Sequence, residues 1–372
     1  MTDTKGIGIL GCGNISAAYM RLGPVFEGIE VRACADIVPA AAQARASEFG
    51  LRADSVDDML AADDIDIVVN LTIPAAHFES SKAVLEAGKN VYSEKPFVLS
   101  LDEAEALSAI AGPRGLRIGS APDTFMGGAH QQARKLIDDG AVGRITGGTA
   151  HVMSHGMEHW HPNPDFFFQP GAGPILDVGP YYVTNLVQLI GPVKRVMAMA
   201  STPSPTRTIL SQPRKGEKIP VDTPTTIHAL LEFANGAIVT MGGSWDVWSH
   251  GHHNMELYGE DGTLFVPDPN FFGGDLRMTA GEAATDLPAY SHPLAVANDG
   301  DNANYRGIGL ADMARAIAEG RDHRCDHRLA THAVEVMTAI LAAGESGDAI
   351  TLKSTCPRPS PLSPEEAASF MK

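Results

Sequence analysis

Between residues 6 and 119, five short apolar runs alternate with helical stretches, and no other feature of the chain restricts its fold as much. The runs fall at 6–10, 30–35, 65–71, 90–92 and 116–119, with helical stretches near 15–22, 39–49, 56–61, 75–87 and 101–110. Repeated strand-helix-strand order dictates a parallel sheet with helices on both faces. The runs are apolar throughout rather than alternating, which suits strands buried on both sides.

After about Pro122 the pattern changes. Two apolar runs, 226–233 and 237–242, flank Asn235-Gly236, and two more, 255–258 and 263–266, flank Asp261-Gly262. Such pairs tolerate positive φ and favour tight hairpins. With an early strand near 144–155, this half reads as an open, largely antiparallel sheet, one face covered by helices near 180–190, 310–319 and 330–343. The segments 201–224 and 267–304 read as loops, either of them a candidate lid. A chain of 372 residues exceeds one ordinary core, and two domains are expected. The division is a dinucleotide-binding Rossmann domain over 1–122, an α+β domain for substrate and oligomerisation over 123–355, and a Pro-rich tail over 356–372.

The first strand ends in Gly11-Cys12-Gly13-Asn14-Ile15-Ser16. Gly11 permits a tight turn, Gly13 lets the main chain approach a pyrophosphate, and a small residue at Ser16 lets helix and strand pack closely. Asn14 and Ile15 complete the loop that would touch the cofactor. Asp36 closes the second strand, where a carboxylate accepts ribose hydroxyls and repels a 2′-phosphate. Position 37 is Ile, not Arg, so NAD is expected rather than NADP. A plain turn and a helix-capping Asp36 are the structural alternatives.

Farther on, Asn90-Val91-Tyr92-Ser93-Glu94-Lys95-Pro96 follows a strand, and 136–145 and 171–191 carry LIDDGAVGRI and GAGPILDVGPYYVTNLVQLIG. Together with the glycine loop these segments resemble the glucose-fructose oxidoreductase, inositol dehydrogenase and MocA (Gfo/Idh/MocA) family over nearly the whole chain. The resemblance implies that Glu94 and Lys95 sit beside the nicotinamide with Lys95 reaching the reacting hydroxyl, and that Thr72, Pro74 and His77 line the cofactor cleft. A cation there favours the alkoxide-like charge that develops as hydride leaves carbon.

Many members of that family carry Asp-x-Gly-x-His where this chain has Asp177-Val178-Gly179-Pro180-Tyr181. Pro180 suits the first turn of a helix, and a spacing of four brings Asp177 and Tyr181 to one side. Lys95, Asp177 and Tyr181 are thus the expected catalytic group, with Tyr replacing His as proton carrier. A phenol of pKa roughly 10 needs a cationic neighbour to act as a base, and Lys95 is the candidate. Tyr182 is the competing phenol, and aromatic packing is the alternative for both.

His151, His155, His159, His161, His250, His252 and His253 concentrate in the second half. Gly156 and Pro162 oppose the helix that metal-ligand spacing would need, so no metal is expected. His155, Trp160, Asn163 and Trp245 are read, with Trp248, as walls of a carbohydrate pocket. The expected activity is hydride transfer between NAD and a secondary hydroxyl of a sugar or polyol. The alternatives are glycoside cleavage or elimination with recycled NAD, and a non-catalytic sugar or dinucleotide sensor.

Acidic residues outnumber basic ones, 45 to 28, and the net charge is -17. That balance repels phosphate backbones and anionic lipid surfaces, so neither nucleic acid nor membrane is an expected partner. Residues 1–10 do not read as a signal peptide, and Cys12, Cys34, Cys325 and Cys356 lack C-x-x-C spacing. A cytoplasmic protein with reduced thiols is expected. The uncovered face of the second sheet predicts a homo-oligomer.

Overall fold

In a computed structural model, which describes residues 4–372, two large sheets and one two-stranded sheet share the chain. Residues 1–3, the start of the segment read for a leader, lie outside the described residues. The first sheet contains β1 (Lys5–Leu10), β2 (Ile29–Ala35), β3 (Arg52–Asp54), β4 (Ile67–Asn70), β5 (Asn90–Ser93) and β6 (Ile118–Ser120). All pair in parallel, in the order β3-β2-β1-β4-β5-β6. This is a doubly wound Rossmann sheet, and its order reverses between β1 and β4, where such folds open a crevice at the strand ends. Helices α1 (Ser16–Leu22), α2 (Pro39–Phe49), α3 (Val56–Ala61), α4 (His77–Glu86) and α5 (Leu101–Ala111) connect it. Only β3, three residues long, goes unread in the sequence.

The second sheet has nine strands in the order β16-β15-β14-β13-β7-β12-β11-β8-β17. They are β7 (Ile145–Met153), β8 (Val193–Ser201), β11 (Thr226–Phe233), β12 (Ile238–Ser244), β13 (Met255–Gly259), β14 (Gly262–Val266), β15 (Arg277–Ala280), β16 (Ala283–Thr285) and β17 (Ile350–Thr351). Every pairing is antiparallel except β7 with β12. On one face lie α8 (Gly179–Ile190) and α10 (His327–Ser346), packed on β7, β8 and β11. The other face exposes Met197, Met199, Leu230 and Ile238.

The second half departs from its sequence reading in two places. Helix α6 (Gly128–Asp138), which follows Pro122 closely, goes unread in the sequence. Its buried side includes His130, Gln131 and Arg134, so a search for apolar periodicity passes over it. The segments read as lids are structured as well. The first carries the hairpin of β9 (Thr206–Thr208) and β10 (Lys218–Pro220), and the second carries β15 and β16 at the sheet edge.

The C-terminal stretch fastens the halves together. After α9 (Ile308–Glu319), Cys325 accepts from the Ser120 N–H and Asp326 bridges Gly119, so the free edge of β6 is covered. The extended tail is pinned by buried Arg134 and Arg324, which donate to the carbonyls of Pro359, Ser360 and Pro361. It then reaches the first domain, where the Glu27 N–H donates to Phe370 and the Lys372 N–H to Val25.

Candidate active site

The dinucleotide crevice is built by the loop after β1. Gly11 has φ +97°, and a Cβ there would come within 2.8 Å of the Leu71 main chain. Around Gly13 nothing stands within 4 Å of such an atom, so this main chain is open to a ligand. Asp36 fixes the loop, its carboxylate accepting from the N–H of Cys12 at 2.7 Å and of Val38 at 2.8 Å. The carboxylate therefore caps and faces the crevice at once, since two lone pairs remain for ribose hydroxyls. A cleft of about 550 Å³ opens beside it, lined by Gly11, Gly13, Asp36, Ile37, Thr72 and Ile73 among others. Ile37 and Ile73 are 90% and 70% exposed, as suits side chains flanking an adenine. Ser16 is buried and donates to the Gly13 carbonyl at 2.6 Å, which braces the turn. Asn14 and Ile15 run between this turn and α1. These residues fit a dinucleotide.

Thr72 lines the cleft, Pro74 begins the turn that follows without lining it, and His77 is turned inward. Its ring is buried, with Nδ1 2.7 Å from the Pro96 carbonyl and Nε2 2.9 Å from that of Thr72. Burial holds its pKa below the ordinary value, the two carbonyls notwithstanding. His77 thus braces the cleft loop against the loop that carries Lys95, and both ring nitrogens are occupied by protein.

Lys95 leaves the end of β5 and crosses to the second half. Its Nζ donates to the carbonyl of Asp177 at 2.7 Å and to Oδ1 of the same residue at 2.9 Å. It also stands 5.5 Å from the centre of the Tyr181 ring. Burial would lower the ammonium pKa, but Tyr181, Asp177 and Glu94 outweigh it and keep the group charged. Asp177 closes α7 (Gly173–Asp177) and Tyr181 lies in the first turn of α8, so the helix break at Val178 brings both to one cation. Tyr182 points elsewhere: it is buried and its hydroxyl accepts from Asn254 at 3.0 Å.

Glu94 lies beneath. Its Oε2 accepts from the Lys95 N–H at 2.8 Å, and its Oε1 accepts from Tyr19 Oη at 3.1 Å and Arg306 Nη1 at 2.7 Å. Burial would raise this carboxyl, but Arg306, followed by Lys95, holds it below the usual carboxylate range. Arg306, Tyr19 and Asp123 are absent from any sequence expectation. Asp123 is buried and accepts from the N–H groups of Gly307 and Gly309, which docks the start of α9 and delivers Arg306. No motif marks these residues, because the two carboxylates and the arginine meet only after both halves fold.

The histidines and tryptophans do not form one pocket. His151 stacks on His252, centroids 4.0 Å apart, and His252 on His250 at 5.9 Å. Burial, then His252, His228 and His250, push the His151 pKa down to about 4. Ala150 and Val152 pack toward the helices, so His151 faces the opposite side of the sheet from α8. His155 instead stacks on Trp248 at 3.4 Å. Trp160 is 57% exposed with its edge to His161, and Asn163 is exposed. Trp245 corrects its expectation. It is 1% exposed and packs against Phe167 and Phe168 in a separate small core with Ile209, Ile219 and Val221. Buried Arg207 holds this region, donating to Glu158, Asp246 and the carbonyls of His155 and Trp245. Among the described residues no cluster of three or more His, Cys, Asp or Glu is placed to hold a metal, and no helix is long and apolar enough to cross a membrane.

Residues 5–121 match the oxidoreductase family with an NAD-binding Rossmann fold, and residues 130–265 match the GFO/IDH/MocA C-terminal domain. Levoglucosan dehydrogenase of Pseudarthrobacter phenanthrenivorans is 27% identical over 287 residues, 69% of this chain and 72% of the relative. Inositol 2-dehydrogenase/D-chiro-inositol 3-dehydrogenase of Lactiplantibacillus plantarum is 32% identical over 151 residues, 37% and 41% of the two chains. The solved levoglucosan dehydrogenase with NADH and L-sorbose superposes with a TM-score of 0.79 at 22% identity, covering 94% of this chain and 99% of that one. An NAD-binding oxidoreductase of Klebsiella pneumoniae gives 0.81 at 20% identity, with coverage of 94% and 99%. At these identities the solved structures establish the fold.

Proposed function

The chain belongs to the Gfo/Idh/MocA family of NAD-binding oxidoreductases, and from that premise we propose that it moves a hydride between nicotinamide and a secondary hydroxyl of a sugar, sugar derivative or polyol. The observation that carries the reading is the Lys95 ammonium, held between the Asp177 carboxylate and the Tyr181 ring. Relatives named as acting on levoglucosan and inositol support the substrate class. Asp36 at the crevice mouth supports NAD over NADP. Residues 1–122 would hold the cofactor and 123–355 the substrate, with the tail 356–372 fastening the two. Exposed Met197, Met199, Leu230 and Ile238 support a homo-oligomer through the second sheet.

When bound, the nicotinamide supplies the hydride acceptor or donor. The chain's own residues handle the proton. As a phenolate, Tyr181 accepts the substrate hydroxyl proton at Oη in oxidation, with the Lys95 ammonium beside its ring as counter-charge. The ammonium also stabilises charge growing on the substrate oxygen. Asp177 orients Lys95 through two hydrogen bonds and keeps the ammonium from free rotation. In reduction Tyr181 returns the proton.

Pyranoses, polyols and glycosides should be screened with NAD and NADP separately, following NADH absorbance. Net NADH formation with one class is expected, and product without net NADH would instead indicate recycled cofactor. Tyr181→Phe should lower turnover by about 100-fold or more, whereas Tyr182→Phe changes it by less than about threefold. Equal losses in the two variants would sink the assignment of the proton to Tyr181.

A further inference from the structure

Two carboxylates and two cations crowd one small volume here, and the way they are paired is not forced by charge alone. Arg306 Nη1 binds Glu94 at 2.7 Å, while Lys95 Nζ binds Asp177 at 2.9 Å. Glu94 is adjacent in sequence to Lys95 and already accepts the Lys95 N–H, so Glu94 competes for the same ammonium. Both of its oxygens are engaged, Oε1 by Arg306 and Tyr19 and Oε2 by the Lys95 main chain.

We propose that Arg306 is a positioning residue of the hydride site, which saturates the Glu94 carboxylate and thereby leaves the Lys95 ammonium to Asp177 and the substrate. This deepens the hydride-transfer reading and rests on it for the substrate step. A buried carboxylate stripped of its partner must find another cation or take up a proton. The nearest remaining cation is Lys95, whose four-carbon stem is flexible enough to turn back. The guanidinium suits the task because it stays charged and presents several donors in a fixed plane. Its delivery is a consequence of the fold. Arg306 precedes Gly307, whose φ of +103° and N–H bond to Asp123 fix the start of α9, a helix that packs on β6 of the first domain. The second half thus sets the rotamer of a residue in the first.

The pairing predicts a specific pattern in a double-mutant cycle. Arg306→Gln should lower turnover by about 100-fold, the loss expected for a displacement of order 1 Å in a reacting group. In the Glu94→Gln background, the same change should cost less than about threefold, because no carboxylate is left to capture Lys95. Arg306→Lys, which keeps the charge, should recover most of the loss. A merely structural arginine would cost as much in both backgrounds, and a cost above about tenfold in Glu94→Gln would overturn the proposal.

A crystal structure of Arg306→Gln provides a readout that needs no substrate. Lys95 Nζ is expected within hydrogen-bond distance of Glu94, and an ammonium still seated on Asp177 would refute the pairing. If the wild-type protein turns over no sugar or polyol, the function reading fails while this crystal structure still decides the role of Arg306.

Discussion

The floor of the proposed hydride site and the aromatic region around residues 155–167 are built on opposite principles. On the floor, Glu94, Lys95, Asp177 and Arg306 are partly or fully buried, and each charge has a counter-charge within 2.9 Å. In the aromatic region Trp160, Phe166 and Trp248 are 57%, 55% and 79% exposed, the Arg207 charge network is buried, and the Arg214–Asp165 pair lies nearer the surface. Chemistry on a hydroxyl needs fixed charges, since a misplaced ammonium stabilises nothing. Recognition of a sugar ring needs apolar faces that water covers until the ligand arrives. On the proposed function the two tasks are separate in space, and the separation can be tested.

The sharpest test removes the ammonium. Lys95→Ala should slow hydride transfer by about 10⁴-fold, combining the lost charge stabilisation with the lost support for Tyr181. Cofactor affinity, read by protein fluorescence, should stay within about threefold, because Asp36 and the glycine loop are untouched. A variant with near wild-type rate would show that the floor is not the reacting site and would favour a sensor. Trp245→Ala tests the other side of the contrast. Loss of a fully buried indole should lower the unfolding free energy by about 3–5 kcal/mol in a denaturant titration. Turnover per folded molecule should change by less than about twofold, and a specific rise in KM would return Trp245 to the sugar pocket.

How much of this was legible in the sequence follows the range of the interactions. Gly11 and Asp36 act through their own loop, and the strand-helix alternation is local, so the first sheet reads almost completely. Asp177 and Tyr181 are marked by their spacing and by resemblance to a family. The α6 helix is not legible, because it buries His130, Gln131 and Arg134 against distant segments, Arg134 reaching Pro359 and His130 reaching Phe271. Strand β8 hides for the opposite reason: Met197 and Met199 point outward while Val196 and Ala198 point inward, and apolar residues on both faces erase the alternation. Arg306 has no local signal, since its partner lies in the other half of the chain. The stacking of the histidines is not legible, because period two predicts which face a strand residue takes, not which rings beyond the strand will stack on it.

Buried histidines give an effect of intermediate size. His130 Nδ1 accepts from Asn185 while Nε2 donates to the Phe271 carbonyl, and His332 Nε2 accepts from the Val193 N–H while Nδ1 donates to Ser354. Both rings are therefore locked neutral, since protonation would set a ring N–H against an incoming donor. Burial pushes both from 6.5 down to about 4. A folded value below the unfolded one means the unfolded chain binds more protons in between, so stability is full above pH 6.5 and falls as pH drops toward 4. Each histidine should contribute about 3 kcal/mol to that loss. Urea titrations across this range should show it, and His332→Gln should remove about 3 kcal/mol of the loss, the rest staying with His130, His151 and the other buried histidines. A pH-independent midpoint would mean that these rings are not held neutral.

The smallest effect bears most directly on what the aromatic region is for. Trp160 is more than half exposed, its edge against His161, on a loop that ends at Gly171 near Leu99 and the Lys95 loop. An exposed indole contributes little to stability, so Trp160→Ala should leave the unfolding free energy within about 0.5 kcal/mol. If the ring stacks on the apolar face of a pyranose, its removal weakens ground state and transition state alike. KM should then rise about tenfold for a pyranose with kcat within about twofold. A linear polyol lacks that flat face and should lose less. Equal KM for wild type and variant with every substrate turned over would leave Trp160 outside the pocket.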